Sequence, residues 1–470
     1  MDNVGSGPFP TIGGVRGGSR AAKPGALSYA REMTDVLLDI PGVVDRLRAA
    51  FRTGRTKPLE WRRAQLEALR AMLREQEDVF LDALYTDLHK NAVEARRTEL
   101  DFVCNEIDDT LEHLEAWLAP EDAELPAKLR PGRATVVREP LGLVLIIGPW
   151  NYPLHLVLAP LVGSLAAGNG VVLKPSELAP ATATAIAQLV PQYLDTEAIA
   201  VVEGAIPETT ALLEQQFDHI FYTGNGIVGR IVMTAAAKHL TPVTLELGGK
   251  SPVIVDEGVD LAVAAERIVN GKFLNAGQTC VAPDYVLAVG DTAARLEPLL
   301  AEALRVKFGD DPAASPDYGR IINGRHFDRL SAMLDSGRVV TGGQTFRDTK
   351  YIAPTVLADV RPDAPVMGEE IFGPILPVIS VPDLGAAIEF ITGRAKPLAL
   401  YAFAESPESK RRILAETSSG AVGFGLPVLH LTVPTLPFGG VGESGMGRYH
   451  GRYSIDTFSH LKAVLDKPLA

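Results

Sequence analysis

The sequence predicts an α/β protein with two successive sheets of parallel strands. Short apolar runs separated by helical segments mark the first sheet, at residues 141–147, 171–173, 199–202, 220–222 and 252–255. Strands that alternate with helices in this way are typical of a parallel sheet with crossover helices. A second set of runs, which includes residues 286–289 and 398–403, lies between about Gly271 and Leu436 and predicts a second α/β domain.

Two amphipathic helical stretches precede the first predicted strand. Apolar side chains recur at helical spacing in both, at Leu66, Leu69, Leu73, Phe80 and Leu84 and again over residues 100–117. The second stretch contains Cys104, which we expect to be a buried structural residue. A connection rich in proline and charge follows to Pro131. A glycine-rich run at residues 439–445 interrupts the pattern near the end, where we expect the chain to cross back.

Composition limits which cellular locations and which classes of partner are expected for the protein. The 470-residue chain has a formal net charge of −13, which argues against binding to nucleic acid or to an anionic membrane because both favour basic surfaces. The longest apolar run is too short to span a bilayer. Two cysteines in the whole chain exclude a disulfide framework and favour a reducing compartment. We therefore expect a cytoplasmic protein with no nucleic-acid or membrane partner. The nine histidines have no metal-ligand spacing, so no metal is expected.

A cysteine and a glutamate, each in a short loop near glycine, are candidates for a nucleophile and a general base. Cys280 follows a glycine-containing turn that would present its sulfur to a cavity, and a thiolate is a strong nucleophile. Glu246 lies between Leu245 and Leu247, where desolvation would raise its pKa and suit a base that activates water. The alternatives are a small buried cysteine with a structural role, and a glutamate that pairs with Lys250 or caps a helix.

A glycine-rich loop predicts a dinucleotide site. The G-x-G-x-x-G pattern of Gly224, Asn225, Gly226 and Gly229 follows an apolar run and opens a helical one, which suits a pyrophosphate at a helix N-terminus. Glu246 lies about twenty residues further on, where such a loop places the acid that binds ribose. The pattern alone therefore leaves the role of Glu246 open.

Lys174 and Glu177 offer a second pair of groups for the ribose hydroxyls. They directly follow the run at 171–173, and open α/β sheets bind ligands at the carboxyl ends of their strands. If ribose binds there, Glu246 is free for catalysis. The alternative is a surface ion pair at the start of a helix, with Ser176 as its N-cap.

Two further loops contain polar and aromatic side chains. The amide of Asn151, in the turn after the first predicted strand, is placed to donate a hydrogen bond to an oxyanion together with the backbone N–H of Cys280, and Trp150 beside it suggests a packed site. Glu370 would bind a ribose hydroxyl while Phe372 packs on a nicotinamide. The alternatives are an ordinary turn asparagine, a solvated acid and a core phenylalanine.

Three of these segments resemble the active-site signatures of the aldehyde dehydrogenase superfamily. They are residues 148–153 (GPWNYP), 245–250 (LELGGK) and 275–280 (NAGQTC). Further segments match the family's motifs in the same order, and the similarity runs from about Val43 almost to the C-terminus. Residues 235–244, 281–285 and 445–451 are similar to the class 3 branch specifically.

The resemblance implies an aldehyde dehydrogenase-like fold: a Rossmann-type cofactor domain, an α/β catalytic domain and a small bridging segment that adds strands across a dimer. The implied division assigns residues 1–40 to a flexible N-terminal extension, 41–118 and 140–246 to the dinucleotide-binding domain, 119–139 and 446–470 to the bridging segment, and 247–445 to the catalytic domain.

The resemblance also implies the roles of the candidate residues. Cys280 would be the nucleophile, Glu246 the general base and Asn151 the oxyanion donor. The cofactor contacts would be Lys174 and Glu177 at the adenosine ribose, Gly224, Asn225, Gly226 and Gly229 near the pyrophosphate, Glu370 and Phe372 at the nicotinamide end, and Trp150. Class 3 enzymes use NAD and often NADP, act on medium-chain aliphatic and aromatic aldehydes, and form dimers.

The chain departs from the family pattern in three places. Asn225 and Gly226 replace a common Ser-Thr pair, which removes a hydroxyl near phosphate and keeps the backbone donors. Residues 423–427 stand where class 3 relatives commonly have an Asn-Asp stretch, so the substrate mouth differs. The membrane-anchoring tail of some class 3 members is not expected here.

We therefore hypothesise oxidation of an aldehyde to a carboxylic acid through a cysteine thiohemiacetal and a thioester, with NAD as the cofactor and NADP as its alternative. Three alternatives stay open. A CoA-acylating aldehyde dehydrogenase would transfer the acyl group to a thiol and would typically lack the base. A noncatalytic NAD-binding protein on the same scaffold would need neither Cys280 nor Glu246. A thiol hydrolase would need a partner histidine, which the sequence does not nominate.

Overall fold

The computed structural model describes residues 39–469, so the predicted N-terminal extension lies outside the described residues except at its last two positions, where a helix already begins at Ile40. Within the described range the strands form sheets of six, seven and three strands, which we call the first, second and small sheets. A short antiparallel pair, Thr345–Phe346 with Tyr351–Ile352, stands apart from them.

The first sheet is parallel apart from one edge strand. Its strands, in spatial order, are Gly445–Met446, Val243–Glu246, His219–Thr223, Leu143–Ile147, Gly170–Lys174 and Ile199–Val201. Every residue of Leu143–Ile147 and of Gly170–Lys174 is buried, as expected of strands with both faces covered. Gly445–Met446 runs antiparallel to Val243–Glu246, so the chain does cross back after the glycine-rich run, as predicted.

The second sheet is also mainly parallel. In spatial order its strands are Arg338–Thr341, Thr355–Ala358, Ile375–Val381, Tyr285–Val289, Pro252–Val255, Ala399–Phe403 and Ala421–Phe424. The grouping of residues 252–255 with the first set of runs was wrong, because Pro252–Val255 pairs with Tyr285–Val289 and Ala399–Phe403. The two glycines after Glu246 let the chain leave one sheet for the other within a few residues.

The small sheet is antiparallel and joins distant parts of the chain. It contains Glu121–Ala123, Arg133–Pro140 and Ser459–Asp466. After Ser459 every residue of its last strand is exposed. The three sheets draw their strands from the three predicted segments, with three exceptions at the boundaries. Gly445 and Met446 lie in the first sheet, and Pro140 ends a strand of the small sheet. The domain boundaries themselves stay a prediction.

Helices cover the sheets and connect their strands. The α-helices are Ile40–Arg52, Leu59–Glu75, Glu77–Leu88, Ala92–Ala95, Asp101–Leu118, His155–Ala167, Pro180–Tyr193, Ile206–Leu213, Gly226–Ala237, Leu261–Lys272, Thr292–Phe308, Gly324–Ser331, Pro365–Gly368, Leu384–Thr392, Pro407–Glu416 and Arg452–Thr457. Single 3₁₀ turns occur at Ala127–Leu129, Leu334–Ser336 and Leu429–Thr432, whereas Leu274–Gly277 is a turn with left-handed backbone angles.

The two predicted helical stretches differ from the structure in detail. The first consists of two helices because Gln76 leaves helical geometry (φ −108°), and its side chain donates a hydrogen bond to the Tyr193 hydroxyl (2.9 Å). The second begins with a π-helical turn, Arg96–Leu100, before Asp101–Leu118. Cys104 is buried in that helix, as predicted.

Alternate side chains of the central strand Leu143–Ile147 lie in two apolar clusters, one on each face of the first sheet. Val144 and Ile146 lie in the larger apolar cluster, which extends into the second sheet, whereas Leu143, Leu145 and Ile147 lie in a smaller cluster on the other face. Because both faces of the first sheet are covered, polar loops are found at the ends of the strands, including their carboxyl ends. No helix in residues 39–469 is long and apolar enough to cross a membrane.

Candidate active site

The loop before Cys280 has a strained backbone that the surrounding chain holds in place. Three successive residues, Asn275 (φ 50°), Ala276 (φ 52°) and Gly277 (φ 76°), are in the left-handed region. A Cβ at Gly277 would lie 2.3 Å from the carbonyl oxygen of Gly373, so the two loops approach too closely for any other residue. Residues in such conformations persist only where their surroundings enforce them.

Gln278 provides much of that enforcement. Its side chain is fully buried, and its Nε2 donates hydrogen bonds to the carbonyl oxygens of Asn275 and Arg320, both at 3.0 Å. Its Oε1 accepts a hydrogen bond from the backbone N–H of Ile322 (3.0 Å). The loop that carries Cys280 is therefore fixed by a buried amide with its donors and acceptor in use.

The Cys280 thiol is half-buried at the margin of the larger core cluster. Burial, followed by the nearby carboxylates of Glu370 and Glu246, raises the pKa of the thiol to about 12, against a smaller opposing effect of the backbone N–H groups of Cys280 and Val281. The protein before substrate binding thus holds the thiol in its protonated form, and two acidic groups stand close to it.

Glu246 ends its strand with an unusually isolated carboxyl group. The residue is 2% exposed, and within the part of the chain that the structure describes neither side-chain oxygen has a hydrogen-bond partner. Burial alone raises its pKa well above the usual value. The alternative ion pair is not observed, because the Lys250 ammonium pairs with Asp284 and donates to the carbonyl oxygens of Val366 and Glu369 (2.9 Å each).

Asn151 lies directly against the cysteine loop. It is 2% exposed, and its Nδ2 donates a hydrogen bond to the carbonyl oxygen of Gln278 (3.0 Å), two residues before Cys280. Its own carbonyl oxygen accepts hydrogen bonds from Asn275 Nδ2 (2.8 Å) and from Lys90 Nζ (3.2 Å). An amide nitrogen has two hydrogens, so one remains for a ligand. The burial of Asn151 and its contact with the cysteine loop argue against the alternative of an ordinary turn asparagine.

Sequence reasoning missed several charged residues that support this arrangement. Glu94 accepts a hydrogen bond from the backbone N–H of Asn275 (2.7 Å), and Lys90 pairs with Glu99 in a fully buried ion pair. Lys90 lies between two helices, Glu94 in the short helix Ala92–Ala95 and Glu99 in the π-helical turn, and hydrophobic periodicity gives no signal for any of them. Only their tertiary contacts identify them.

Glu370 and Phe372 lie on the other side of the site. The Glu370 carboxylate packs against the backbone of Gly248, where a Cβ would lie 1.9 Å from its Oε2. The side chain is partly exposed, and burial and then the charge of Asp284 raise its pKa to about 8, which argues against a freely solvated acid. The Phe372 ring meets Trp150 edge to face, with 5.2 Å between ring centres. The two aromatic residues thus form one wall.

Lys174 and Glu177 stand at the carboxyl end of a strand of the first sheet. Lys174 is buried, its Nζ donates to the carbonyl oxygen of Pro175 (2.8 Å), and Glu177 Oε2 lies 3.8 Å away. Burial lowers the pKa of Lys174. The alternative N-cap role of Ser176 is not observed, because the helix begins only at Pro180.

The glycine-rich loop lies next to the Glu246 strand. Gly224 donates its backbone N–H to the carbonyl oxygen of Glu246 (3.0 Å), and Asn225 caps the helix Gly226–Ala237 by accepting from the backbone N–H of Val228 (3.0 Å). Gly229 is buried within that helix. The helix N-terminus, with Lys174 and Glu177 at another strand end of the same sheet, fits a dinucleotide whose phosphates take backbone donors.

No group of three or more His, Cys, Asp or Glu side chains in residues 39–469 is placed to hold a metal ion. The expectation that no metal is required stays a prediction.

Comparison with known proteins decides the family. The model of the aldehyde dehydrogenase family matches residues 37–464. The chain belongs to the aldehyde dehydrogenase family. The predicted recognition, fold class and enzyme class, an NAD(P)-dependent oxidoreductase of the class 3-like branch, are confirmed.

Similar members of the aldehyde dehydrogenase family come from mammals. Aldehyde dehydrogenase family 3 member B1 of Bos taurus is 54% identical over 422 residues, which is 90% of each chain. The "dimeric NADP-preferring" aldehyde dehydrogenase of Canis lupus familiaris is 50% identical over 430 residues, 92% of this chain and 95% of the relative.

Solved structures of aldehyde dehydrogenases have the same fold. The substrate-bound AldH of Staphylococcus aureus superposes with a TM-score of 0.90 at 46% identity, over 91% of this chain and 94% of its own. An aldehyde dehydrogenase of Mycobacterium tuberculosis, solved in complex with NAD+, has a TM-score of 0.81 at 30% identity, over 91% and 90%. The predicted nicotinamide cofactor is confirmed at the level of NAD(P)+.

Proposed function

We propose that this aldehyde dehydrogenase oxidises its substrate through a covalent intermediate on Cys280, with Glu246 as the base that releases the product. The observation that carries the proposal is the buried carboxyl group of Glu246, which has no partner among the described residues and lies close enough to raise the pKa of the Cys280 thiol. An isolated acid with a raised pKa beside a nucleophile is typical of a catalytic base.

The first step forms a bond between Cys280 Sγ and the aldehyde carbon. The thiol gives up its proton to water in the site, so Glu246 stays available as the base for the later hydrolysis. The carbonyl oxygen of the substrate becomes an oxyanion, which the free Nδ2 hydrogen of Asn151 and the backbone N–H of Cys280 would stabilise. The product of this step is a thiohemiacetal.

A bound nicotinamide supplies the acceptor for the hydride that leaves the thiohemiacetal, which becomes a thioester. Gly224 to Gly229, Lys174 and Glu177 would hold the pyrophosphate and the adenosine ribose, while Trp150, Glu370 and Phe372 would border the nicotinamide end. In its ionised form Glu246 then takes a proton from water, and hydroxide adds to the thioester carbon. The C–S bond breaks as Glu246 returns that proton to the sulfur. A carboxylate leaves and the thiol is restored.

The substrate is proposed to be a medium-chain aliphatic or an aromatic aldehyde. The segment after the strand Ala421–Phe424 exposes a group of large apolar side chains, Leu426, Leu429, Val433 and Leu436. This segment lies beside the cysteine loop, because the His430 ring lies 6.1 Å from that of Tyr401, whose hydroxyl donates to the carbonyl oxygen of Val281 (2.7 Å). An apolar mouth favours an apolar substrate chain.

The direct test is formation of reduced nicotinamide with a panel of aliphatic, aromatic and carboxylate-bearing aldehydes, with and without CoA. We expect the highest kcat/KM with medium-chain aliphatic or aromatic aldehydes, at least about tenfold above a semialdehyde acid, since burying a charge near apolar side chains is costly. Added CoA should give no acyl-CoA. Acyl-CoA formation would favour the CoA-acylating alternative, turnover of esters alone a thiol hydrolase, and cofactor binding without any turnover the noncatalytic alternative.

A negative charge near the adenosine ribose predicts a preference for NAD over NADP. The carboxylate of Glu177 would repel a 2′-phosphate. Glu177→Gln should therefore raise kcat/KM with NADP relative to NAD by about fivefold, which corresponds to about 1 kcal/mol. Glu197→Gln is the matched control, because this exposed acid precedes the strand Ile199–Val201 at the opposite end of the same sheet. An equal preference for both cofactors in the native enzyme would contradict the argument, and the "NADP-preferring" relative from dog makes the measurement informative.

A homodimer and a cytoplasmic location are also proposed. The helix Gly226–Ala237 exposes Ile227, Ile231 and Met233, and Leu240 follows it with 91% exposure. Such a row of large apolar side chains is typical of an interface, and one relative is named dimeric. The location rests on the two free cysteines, which suit a reducing compartment.

A further inference from the structure

A buried ion pair lies beneath the turn that contains Asn151. The side chains of Lys90 and Glu99 are both 0% exposed. Glu99 also accepts hydrogen bonds from the backbone N–H groups of Leu154 (3.1 Å) and His155 (2.9 Å). Buried charges are costly unless they are paired and hydrogen-bonded, so each partner depends on the other for its position.

The Lys90 ammonium contacts the backbone that carries the Asn151 amide. Its Nζ donates to the Asn151 carbonyl oxygen (3.2 Å) and lies 4.1 Å from the centre of the Tyr152 ring. The Tyr152 hydroxyl is hydrogen-bonded to Thr279 Oγ1 (2.7 Å), in the cysteine loop. The second donor to the same Asn151 carbonyl is Asn275 Nδ2 (2.8 Å). Two donors on one carbonyl oxygen fix the orientation of that peptide group.

We propose that Lys90 is a positioning residue for oxyanion stabilisation and acts through Asn151. This inference rests on the proposed function, which assigns the oxyanion to the second Nδ2 hydrogen of Asn151. The first Nδ2 hydrogen of Asn151 is donated to the Gln278 carbonyl oxygen (3.0 Å). The direction of the second hydrogen therefore depends on how the Asn151 backbone is oriented. Oxyanion donors act only over a narrow range of distance, and small displacements cost large factors in rate.

The test is a double-mutant cycle on the burst of reduced nicotinamide, which reports the chemical step in the complete enzyme with NAD and a saturating aldehyde. Lys90→Met should lower the burst rate about tenfold in the native background. In the Asn151→Ala background the same substitution should lower it less than about twofold, because no amide remains to be positioned. The KM for NAD should not change.

Lys272→Met is the matched control, since Lys272 is 1% exposed and ends the helix Leu261–Lys272. The fold-change in burst rate caused by Lys272→Met should be the same in the native and Asn151→Ala backgrounds. If Lys90→Met does not fold, Glu99→Gln removes the charge partner at nearly constant size and should show a loss of about threefold with the same dependence on Asn151.

The outcomes separate the inference from the function that it rests on. An equal loss from Lys90→Met in both backgrounds would overturn the positioning role and leave the proposed function intact. A native burst rate in Asn151→Ala alone would instead contradict the oxyanion assignment itself. A raised KM for NAD with a native burst rate in Lys90→Met would also overturn the inference, because it would place the effect in cofactor binding.

Discussion

Replacing Cys280 with alanine should abolish formation of reduced nicotinamide with every aldehyde while the enzyme still binds its cofactor. No other thiol lies in the described part of the site, and without the sulfur neither the thiohemiacetal nor the thioester can form. We expect kcat/KM to fall by about 10⁴-fold or more, to the level of the uncatalysed reaction. The measurement is absorbance of reduced nicotinamide, together with the mass of the intact protein after mixing with aldehyde and NAD.

Cys104→Ala supplies the control for this prediction. Cys104 is buried in the helix Asp101–Leu118, where burial raises the pKa of its thiol and Arg74 and Asp108 are among the nearby charges. This variant should keep native turnover and the covalent adduct, apart from a modest loss of stability of about 1 kcal/mol from the cavity. Substantial turnover in Cys280→Ala would show that Cys280 is not the nucleophile. Loss of turnover in Cys104→Ala alone would show the same.

Glu246→Gln should retain a rapid burst of reduced nicotinamide and then turn over slowly. Hydride transfer comes before the base is needed, whereas hydrolysis of the thioester depends on it, so the acylated enzyme should accumulate. General bases contribute about 10²–10⁴-fold, and we expect a steady-state rate lowered by at least about 10²-fold. Rapid mixing for the burst and mass spectrometry for the acyl-enzyme measure both halves of the prediction.

Glu370→Gln is the matched comparison, because it makes the same change in the second carboxyl group near Cys280. If Glu370 binds the cofactor, this variant should have a raised KM for NAD, and the acyl-enzyme should not accumulate. A burst followed by slow turnover in Glu370→Gln, with native turnover in Glu246→Gln, would move the base from Glu246 to Glu370.

The stability of Glu246→Gln gives a second readout of the same buried carboxyl group. Between an ordinary carboxyl pKa of about 4.5 and the raised pKa of folded Glu246, the folded state holds a proton that the unfolded state has lost, so native stability falls as pH rises. Glutamine does not titrate. The Tm of the variant minus the native Tm should therefore grow as pH rises above about 4.5, towards the raised pKa of folded Glu246. A gap that is constant with pH would show that burial does not perturb this carboxyl group.

Much of the fold was predictable because its strands are buried on both faces. The run at 141–147 became Leu143–Ile147, and the run at 171–173 became Gly170–Lys174. Continuous apolar residues of this length, bounded by glycine or by a Lys-Pro pair, are typical of a buried parallel strand. The break at Gln76 was not predictable, because the periodicity of leucines continues across it and a distant hydroxyl, that of Tyr193, contacts the side chain. The placement of Pro252–Val255 failed because sheet membership depends on long-range pairing.

The candidate site divides in the same way. The types of residue, a thiol, an acid, an amide and a glycine-rich loop, were visible as short local patterns. The sequence did not show whether Glu246 binds ribose or faces the thiol, because both roles fit its spacing from the glycine-rich loop. The burial of Glu246 with no hydrogen-bond partner among residues 39–469, and its effect on the pKa of Cys280, support a position facing the thiol. Lys90 and Glu99 carried no local signal at all.

By itself the sequence determined the family, the enzyme class, the nicotinamide cofactor and the order of strands and helices, because motifs near glycine and runs of apolar residues are properties of neighbours along the chain. Only the tertiary structure decided which sheet each strand joined, which charges were buried, and that the Asn151 turn and the Cys280 loop share one hydrogen-bonded network. Desolvation and hydrogen bonding act between groups that the folded chain brings together from more than a hundred residues apart. No pattern along the sequence encodes that distance directly.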